Sequence, residues 1–194
     1  MDERGVVGVV LAAGAGTRFG GPKALARTPD GEPWIARAVA TLTESGCREV
    51  VVILGARADE ARPLVPDTAT VVVAADWAEG LSASLRAALR ALGERPTDRP
   101  ADRAVIVPVD TPDLPVAAVR RVVAASVTTG AQTLARAVYA NRPGHPVVLG
   151  RAHWRELAAT VHGDLGAGPY LRARAAIEVE CGDLWDGADI DRRP

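Results

Sequence analysis

The chain has 194 residues, 48% hydrophobic and 24% charged, with a formal net charge of −1. That length and apolar content suit one core, hence a single domain over 1–194. The 22 arginines are scattered among 24 acids, with no basic stripe for nucleic acid or an anionic membrane, and two cysteines without a CxxC or Cys/His cluster argue against structural zinc.

The first residues, MDERGVVGVVLAAG, place acids ahead of an apolar run far too short to span a bilayer. No basic n-region precedes that run, so the expectation is no signal peptide, a cytoplasmic protein and reduced thiols. Val6–Leu11 reads as a fully buried strand. Pro33–Ser45 reads as a helix, with proline in its first turn and Gly46 just beyond its end. Val50–Leu54 is a second strand, Ala58–Leu64 a short helix, Thr70–Val73 a third strand and Ser82–Leu92 a helix. Gly93–Asp102 is a polar, proline-containing loop. Val105–Val109 is a fourth strand and Val116–Val127 a helix. Gln132–Tyr139 and Pro146–Leu149 are strands around a stiff turn at Asn141–Pro146. His153–Thr160 and Pro169–Ala176 are helices, and Ile177–Glu180 is the last strand. Strands apolar on both faces and separated by helices predict an α/β sandwich with a mainly parallel sheet. Ligands of such sheets lie at the C-terminal strand ends. The unusual residues cluster there: Ala13–Lys23, Ala75–Ser84 and Asp110–Asp113.

The loop Leu11-Ala12-Ala13-Gly14-Ala15-Gly16-Thr17-Arg18-Phe19-Gly20-Gly21-Pro22-Lys23 combines four glycines with two cations. Glycines let backbone N–H groups approach an anion, so the loop suits a polyphosphate; the bland reading is a flexible turn with solvated charges. Lys23 is the only lysine of the chain. The dinucleotide fingerprint fails, because Phe19 stands where its third glycine belongs and strand two ends at Leu54-Gly55 without an acid. The P-loop also fails, because Pro22 stands where its lysine belongs and Ala24 follows Lys23.

Pro108-Val109-Asp110-Thr111-Pro112-Asp113 sets an aspartate just past a buried strand. Hard cations bound to phosphates need only one or two protein carboxylates, so Asp110 is the candidate metal ligand. Asp113, ahead of Leu114-Pro115, is assigned to capping the next helix.

Leu11, Ala12, Gly14, Gly16, Arg18 and Lys23 fit the L-A-x-G-x-G-x-R-x-x-x-x-K signature, and Asp110 fits P-x-D-x-P. From Val9 to Asp191 the chain resembles the MobA-like NTP transferase family, in particular its molybdenum cofactor cytidylyltransferase (MocA-like) branch. Trp77–Leu85 resembles the branch's W-x-x-G-L-S-x-S-L, Gly144–Val147 its G-H-P-V and Gly163–Ala167 its G-D-x-G-A. Asp189-Ile190-Asp191 resembles the D-x-D of a D-x-D-T-P segment that returns to the active site. Three departures stand out: Ala74-Ala75 in place of an asparagine, Gly168 in place of an arginine, and no T-P after Asp191.

The resemblance implies a three-layer α/β/α sandwich with a Rossmann-like, mainly parallel mixed sheet, the nucleotide-diphospho-sugar transferase fold. It implies a Mg²⁺-dependent nucleotidyltransferase taking CTP and molybdopterin, with a molybdoenzyme as a possible downstream partner. On that reading 1–114 is the nucleotide-binding half and 115–194 the acceptor-binding half. Mg²⁺ rests on Asp110 with Asp189 or Asp191, and Lys23 and Arg18 steady the triphosphate and the leaving pyrophosphate. Leu11, Ala12, Ala13, Gly14, Gly16, Gly80 and Ser82 hold the nucleotide. Ser82 also reads as a helix cap, Trp77 as core and His145 as a structural histidine. The acceptor falls to His145 and Asp164, the latter alternatively a cap. The methyl of Ala13, where the guanylyl branch has glycine, favours a pyrimidine. Other readings are GTP:molybdopterin guanylyl transfer, cytidylyl transfer to a sugar or polyol phosphate, and a non-catalytic cofactor-delivery chaperone on the same fold.

Overall fold

A computed structural model describes residues 5–95 and 101–192. Residues 96–100, within the polar loop expected at Gly93–Asp102, lie outside the described residues, as do the first four residues and the last two. Strands β1 (Gly5–Ala12), β2 (Glu49–Leu54), β3 (Ala69–Val73) and β4 (Ala101–Pro108) run parallel to one another. They continue into β6 (Arg142–Gly150), antiparallel to β4, then β5 (Leu134–Tyr139) and β7 (Ile177–Glu180). The sheet order is β3-β2-β1-β4-β6-β5-β7.

The parallel strands are apolar on both faces because helices cover both. Val10, Val50, Val52, Leu54, Val105 and Val107 face α1 (Trp34–Glu44) and α4 (Val116–Ala125). Their neighbours Val9, Val51, Ile53 and Ile106 face α3 (Leu81–Gly93), α5 (Arg151–Thr160) and α6 (Gly168–Ala173). The period-two alternation of each strand thus serves two cores. The short α2 (Ala58–Ala61) gives way to a 3-10 turn at Arg62–Leu64, where Pro63 has no N–H to continue an α-helix. Cys47 and Cys181 are free and buried, and burial pushes the Cys47 thiol up to about 12. Among the described residues no helix is long and apolar enough to cross a membrane.

The structure corrects four sequence expectations. Strand β4 begins at Ala101, so the last two residues of the expected loop belong to the sheet. The stiff turn expected at Asn141–Pro146 is mostly strand: β5 and β6 form a hairpin that reverses at Ala140 and Asn141, both at positive φ. Its prolines are tolerated because the ladder is broken there. Arg136 pairs with Val147 and Val138 with Pro143, so Gly144, His145 and Pro146 form a bulge opposite Ala137. Asp113 caps nothing: Pro115 is the N-cap of α4, without a side-chain cap bond, and the Asp113 carboxylate meets Arg37 of α1 at 3.5 Å. Nor does Ser82 cap α3, whose N-cap is Gly80.

Candidate active site

The loop between β1 and the 3-10 turn Lys23–Leu25 closes on itself, with the Gly21 N–H donating to Gly16 O at 3.0 Å. Gly16 sits at φ 61, and a Cβ there would lie 2.0 Å from Gly21 O, so only glycine permits this turn. Phe19, the residue that spoils the dinucleotide fingerprint, is buried against Trp34 of α1 with ring centroids 5.4 Å apart. It anchors the loop to the helix layer. The N–H groups of Gly14–Arg18 donate to no group among the described residues, which leaves them to serve an anion.

Opposite this loop the chain end returns. The Ile190 N–H donates to Asp110 O at 2.9 Å, and Ile190 packs on the core beneath α1 and α4. Trp185 holds the same segment edge-on to Tyr139 at 5.4 Å. One carboxylate oxygen from each of Asp110, Asp189 and Asp191 then lies within 4.8 Å of the others. Three acids this close repel one another unless positive charge stands among them. Lys23 Nζ donates to Asp110 Oδ2 at 2.8 Å and to Asp191 Oδ1 at 2.9 Å, and Arg18 stands 3.2 Å from Asp191. Burial pulls the Lys23 pKa down, but the hydrogen bonds and charges of Asp110 and Asp191 outweigh it and raise it above its ordinary value. The same Lys23 bond holds Asp191 below the usual carboxylate range. An all-oxygen donor set of this kind suits a hard divalent cation.

Two cavities meet at Asp110. The first, of about 410 Å³, is lined by the loop from Leu11 to Phe19, by Lys23, Asp110 and Asp191, and by Trp77, Gly80, Ser84 and Asp164. The second, of about 460 Å³, also reaches Asp110 and adds Asp189, Arg136 and His145 to a mainly aliphatic wall that includes Leu85, Ile106, Leu149 and Leu171. Burial holds the His145 imidazole below its ordinary pKa against the opposing charges of Asp110 and Asp189.

Leu11, Ala12, Ala13, Gly14, Gly16, Arg18, Lys23, Gly80 and Asp110 all line the first cavity, and His145 the second. Ser82 does not line the first: it is fully buried, and its hydroxyl accepts from Arg86 at 3.0 Å. Asp164, expected to bind the acceptor, lines the first cavity and not the second. Sequence reading missed Ser84, Phe19, Arg86 and Arg136. Ser82 and Arg86 share one helix face at i, i+4, and Leu81, Ser84 and Leu85 line the cavities; the two-residue spacing of the serines puts them on different faces, but only packing decides which face meets the site. Arg86 ties the site together, reaching Asp76 (2.9 Å), Glu79 (2.5 Å) and Val161 O (3.4 Å). Arg136 pairs with Glu178 across β5 and β7 while facing the second cavity.

A parallel sheet ending in a basic, glycine-rich loop that faces a carboxylate cluster is built to hold a polyphosphate beside a divalent cation, the arrangement of a nucleotidyltransferase. The chain belongs to the MobA-like NTP transferase domain family, which matches residues 8–178, and it is a nucleotidyltransferase. A relative, nicotine blue oxidoreductase of Paenarthrobacter nicotinovorans, is 33% identical over 195 residues, covering 96% of this chain and 92% of that protein. The crystal structure of Rv0371c from Mycobacterium tuberculosis H37Rv is similar, with a TM-score of 0.81 and 29% identity over 99% of this chain and 95% of that one. Rv0371c in complex with manganese matches with a TM-score of 0.72 and 27% identity, over 91% of this chain and 88% of that one.

Proposed function

We propose that the protein is a Mg²⁺-dependent CTP:molybdopterin cytidylyltransferase that releases pyrophosphate. The observation that carries the reading is the position of Asp110: it lies where the two cavities meet, with Lys23 on one side and Asp189 on the other. Transfer between two substrates needs such a junction. The chain then works as one domain over 1–194, with the nucleotide taken mainly by 1–114 and the acceptor mainly by 115–194.

In this mechanism the loop N–H groups of Gly14–Gly16 hold the triphosphate in the first cavity, and Arg18 and Lys23 neutralise it. The acceptor lies against the aliphatic wall of the second cavity, near His145, with its phosphate turned toward Asp110. An oxygen of that phosphate attacks the α-phosphorus in line, the bond from the α-phosphorus to the bridging oxygen breaks, and pyrophosphate leaves with the electron pair. The attacking phosphate is already an anion near neutral pH, so catalysis is positioning plus charge neutralisation and no general base is needed. Asp110, Asp189 and Asp191 would hold Mg²⁺, which when bound supplies Lewis-acid stabilisation of the phosphate oxygens. With a metal held by those acids, the Lys23 ammonium, 2.8 Å from Asp110 and 2.9 Å from Asp191, would be left to pair with the triphosphate.

Manganese in the Rv0371c complex supports a divalent ion, and the hard donors here suit Mg²⁺. Ala13 in the buried wall of the first cavity supports a pyrimidine. The oxidoreductase name of the Paenarthrobacter relative points to redox chemistry for that protein. In this chain Phe19 is buried where a dinucleotide loop needs glycine, and Gly55 follows β2 where it needs an acid for ribose. Both features favour an NTP. A thermal-shift series with CTP, GTP, ATP and UTP in Mg²⁺ tests the base, and pyrophosphate release with molybdopterin tests the transfer. CTP should raise Tm most, because a ligand stabilises the state it binds, and GTP should lag by about 10–200-fold in kcat/KM. Equal use of GTP overturns the base choice. Nucleotide binding without pyrophosphate release supports the delivery chaperone instead.

A further inference from the structure

We infer that Asp164 binds the nucleoside of the NTP, its carboxylate accepting a hydrogen bond from a ribose hydroxyl or a base amino group; this rests on the first cavity being the nucleotide site. By sequence Asp164 belongs to the second half of the chain. The fold carries it across. The Ser82 N–H, in the first turn of α3, donates to Gly163 O at 3.0 Å, and Arg86 reaches Val161 O from the same helix. The segment 161–164 is therefore docked on the start of α3, beside the turn that follows β3.

Gly80 records how closely it is docked. At φ 106, a Cβ on Gly80 would lie 2.5 Å from Asp164 Oδ1 and 2.8 Å from Gly163 O. A side chain at 80 would meet both the Asp164 carboxylate and the Gly163 backbone. The carboxylate itself is exposed, and within the described residues no hydrogen bond or ion pair engages it. It does not cap α6 either, whose N-cap is Ala167 without a side-chain bond. A carboxylate offers acceptors and repels phosphate oxygens. The triphosphate therefore belongs with Arg18 and Lys23, and the donors left for Asp164 are those of the nucleoside. The second cavity, with its aliphatic wall, does not include Asp164.

Isothermal titration of CTP, UTP, 2′-deoxy-CTP and 3′-deoxy-CTP in Mg²⁺ against wild type, Asp164→Ala and Asp164→Asn tests the assignment. Asp164→Ala should weaken CTP binding by roughly tenfold or more, the worth of a hydrogen bond to a charged group. Asp164→Asn, which keeps one acceptor oxygen, should recover part of that loss. Wild type should bind one analogue less well than CTP, and Asp164→Ala should erase that preference. Loss against UTP identifies the base amino group, and loss against a deoxy analogue identifies the hydroxyl. In pyrophosphate release, the KM for molybdopterin should stay at the wild-type value. Unchanged CTP binding in Asp164→Ala, a preference pattern that survives it, or a rise in the molybdopterin KM alone overturns the inference and leaves the nucleotide site standing. Failure of wild type to bind any of the four nucleotides overturns the nucleotide site itself.

Discussion

The two ends of the sheet handle different problems. Along β3-β2-β1-β4 every strand points the same way, so the loops that follow open on one edge and deliver charge there: Arg18 and Lys23 after β1, Asp110 after β4. Along β6-β5-β7 the direction changes, the chain reverses at Ala140 and Asn141, and a bulge sets Gly144 and His145 against a cavity walled by leucine, isoleucine and valine. The first region is suited to charge neutralisation and the second to shape. The segment that joins them belongs to neither, since Asp189 and Asp191 arrive on the chain end and are pinned by Ile190. A transferase needs both kinds of site within reach of one reacting phosphate, and here the contrast falls along the change of strand direction.

That contrast can be broken most severely at its junction. Asp110→Asn removes a charge shared by both cavities, so pyrophosphate release should fall by on the order of 10³ or more while the circular dichroism spectrum stays as in wild type. Turnover near wild type at saturating Mg²⁺ would mean that the junction is not where chemistry occurs. On the charged side alone, Lys23→Arg should be nearly as damaging as Lys23→Ala, each cutting kcat by on the order of 10²-fold. The compact ammonium sits between two carboxylates at 2.8 and 2.9 Å, whereas a guanidinium presents its donors as a wide planar fork. An arginine variant that keeps most of its activity would show that the region needs only positive charge. On the shape side the smallest change is expected. His145→Gln should raise the KM for molybdopterin by roughly threefold to tenfold, the worth of about one hydrogen bond, and leave CTP binding alone. A change in CTP affinity instead would mean that the two cavities act as one.

Local patterns carried most of the framework. The runs Val6–Leu11, Val50–Leu54 and Val105–Val107 within β1, β2 and β4 are apolar throughout because they face helices on both sides, and such runs are visible without knowing their partners. The loop from Leu11 to Lys23 and the position of Asp110 just beyond β4 are equally local, since a turn's glycines and a strand's end are written within a dozen residues. The second strand of the hairpin begins earlier than the sequence suggests, at Arg142 and not at Pro146, because Pro143 argues against a strand unless the ladder is broken nearby, and a bulge is defined by its partner strand. Which serine of α3 faces the cavity depends on how the helix is rotated against the sheet and the segment 161–164, and that is set by packing.

The sequence by itself determined the alternation of strands and helices, the anion-ready loop and the identity of its acids and cations, because these depend on residues close together in the chain. Only the tertiary structure decided which acids face one another and which cavity each residue lines. Asp189 and Asp191 reach Asp110 through the packing of Ile190 and Trp185, and Asp164 changes sides through one N–H of Ser82 and the guanidinium of Arg86. Contacts of that kind depend on surfaces formed by distant segments, and those surfaces exist only once the sheet has assembled its two helix layers.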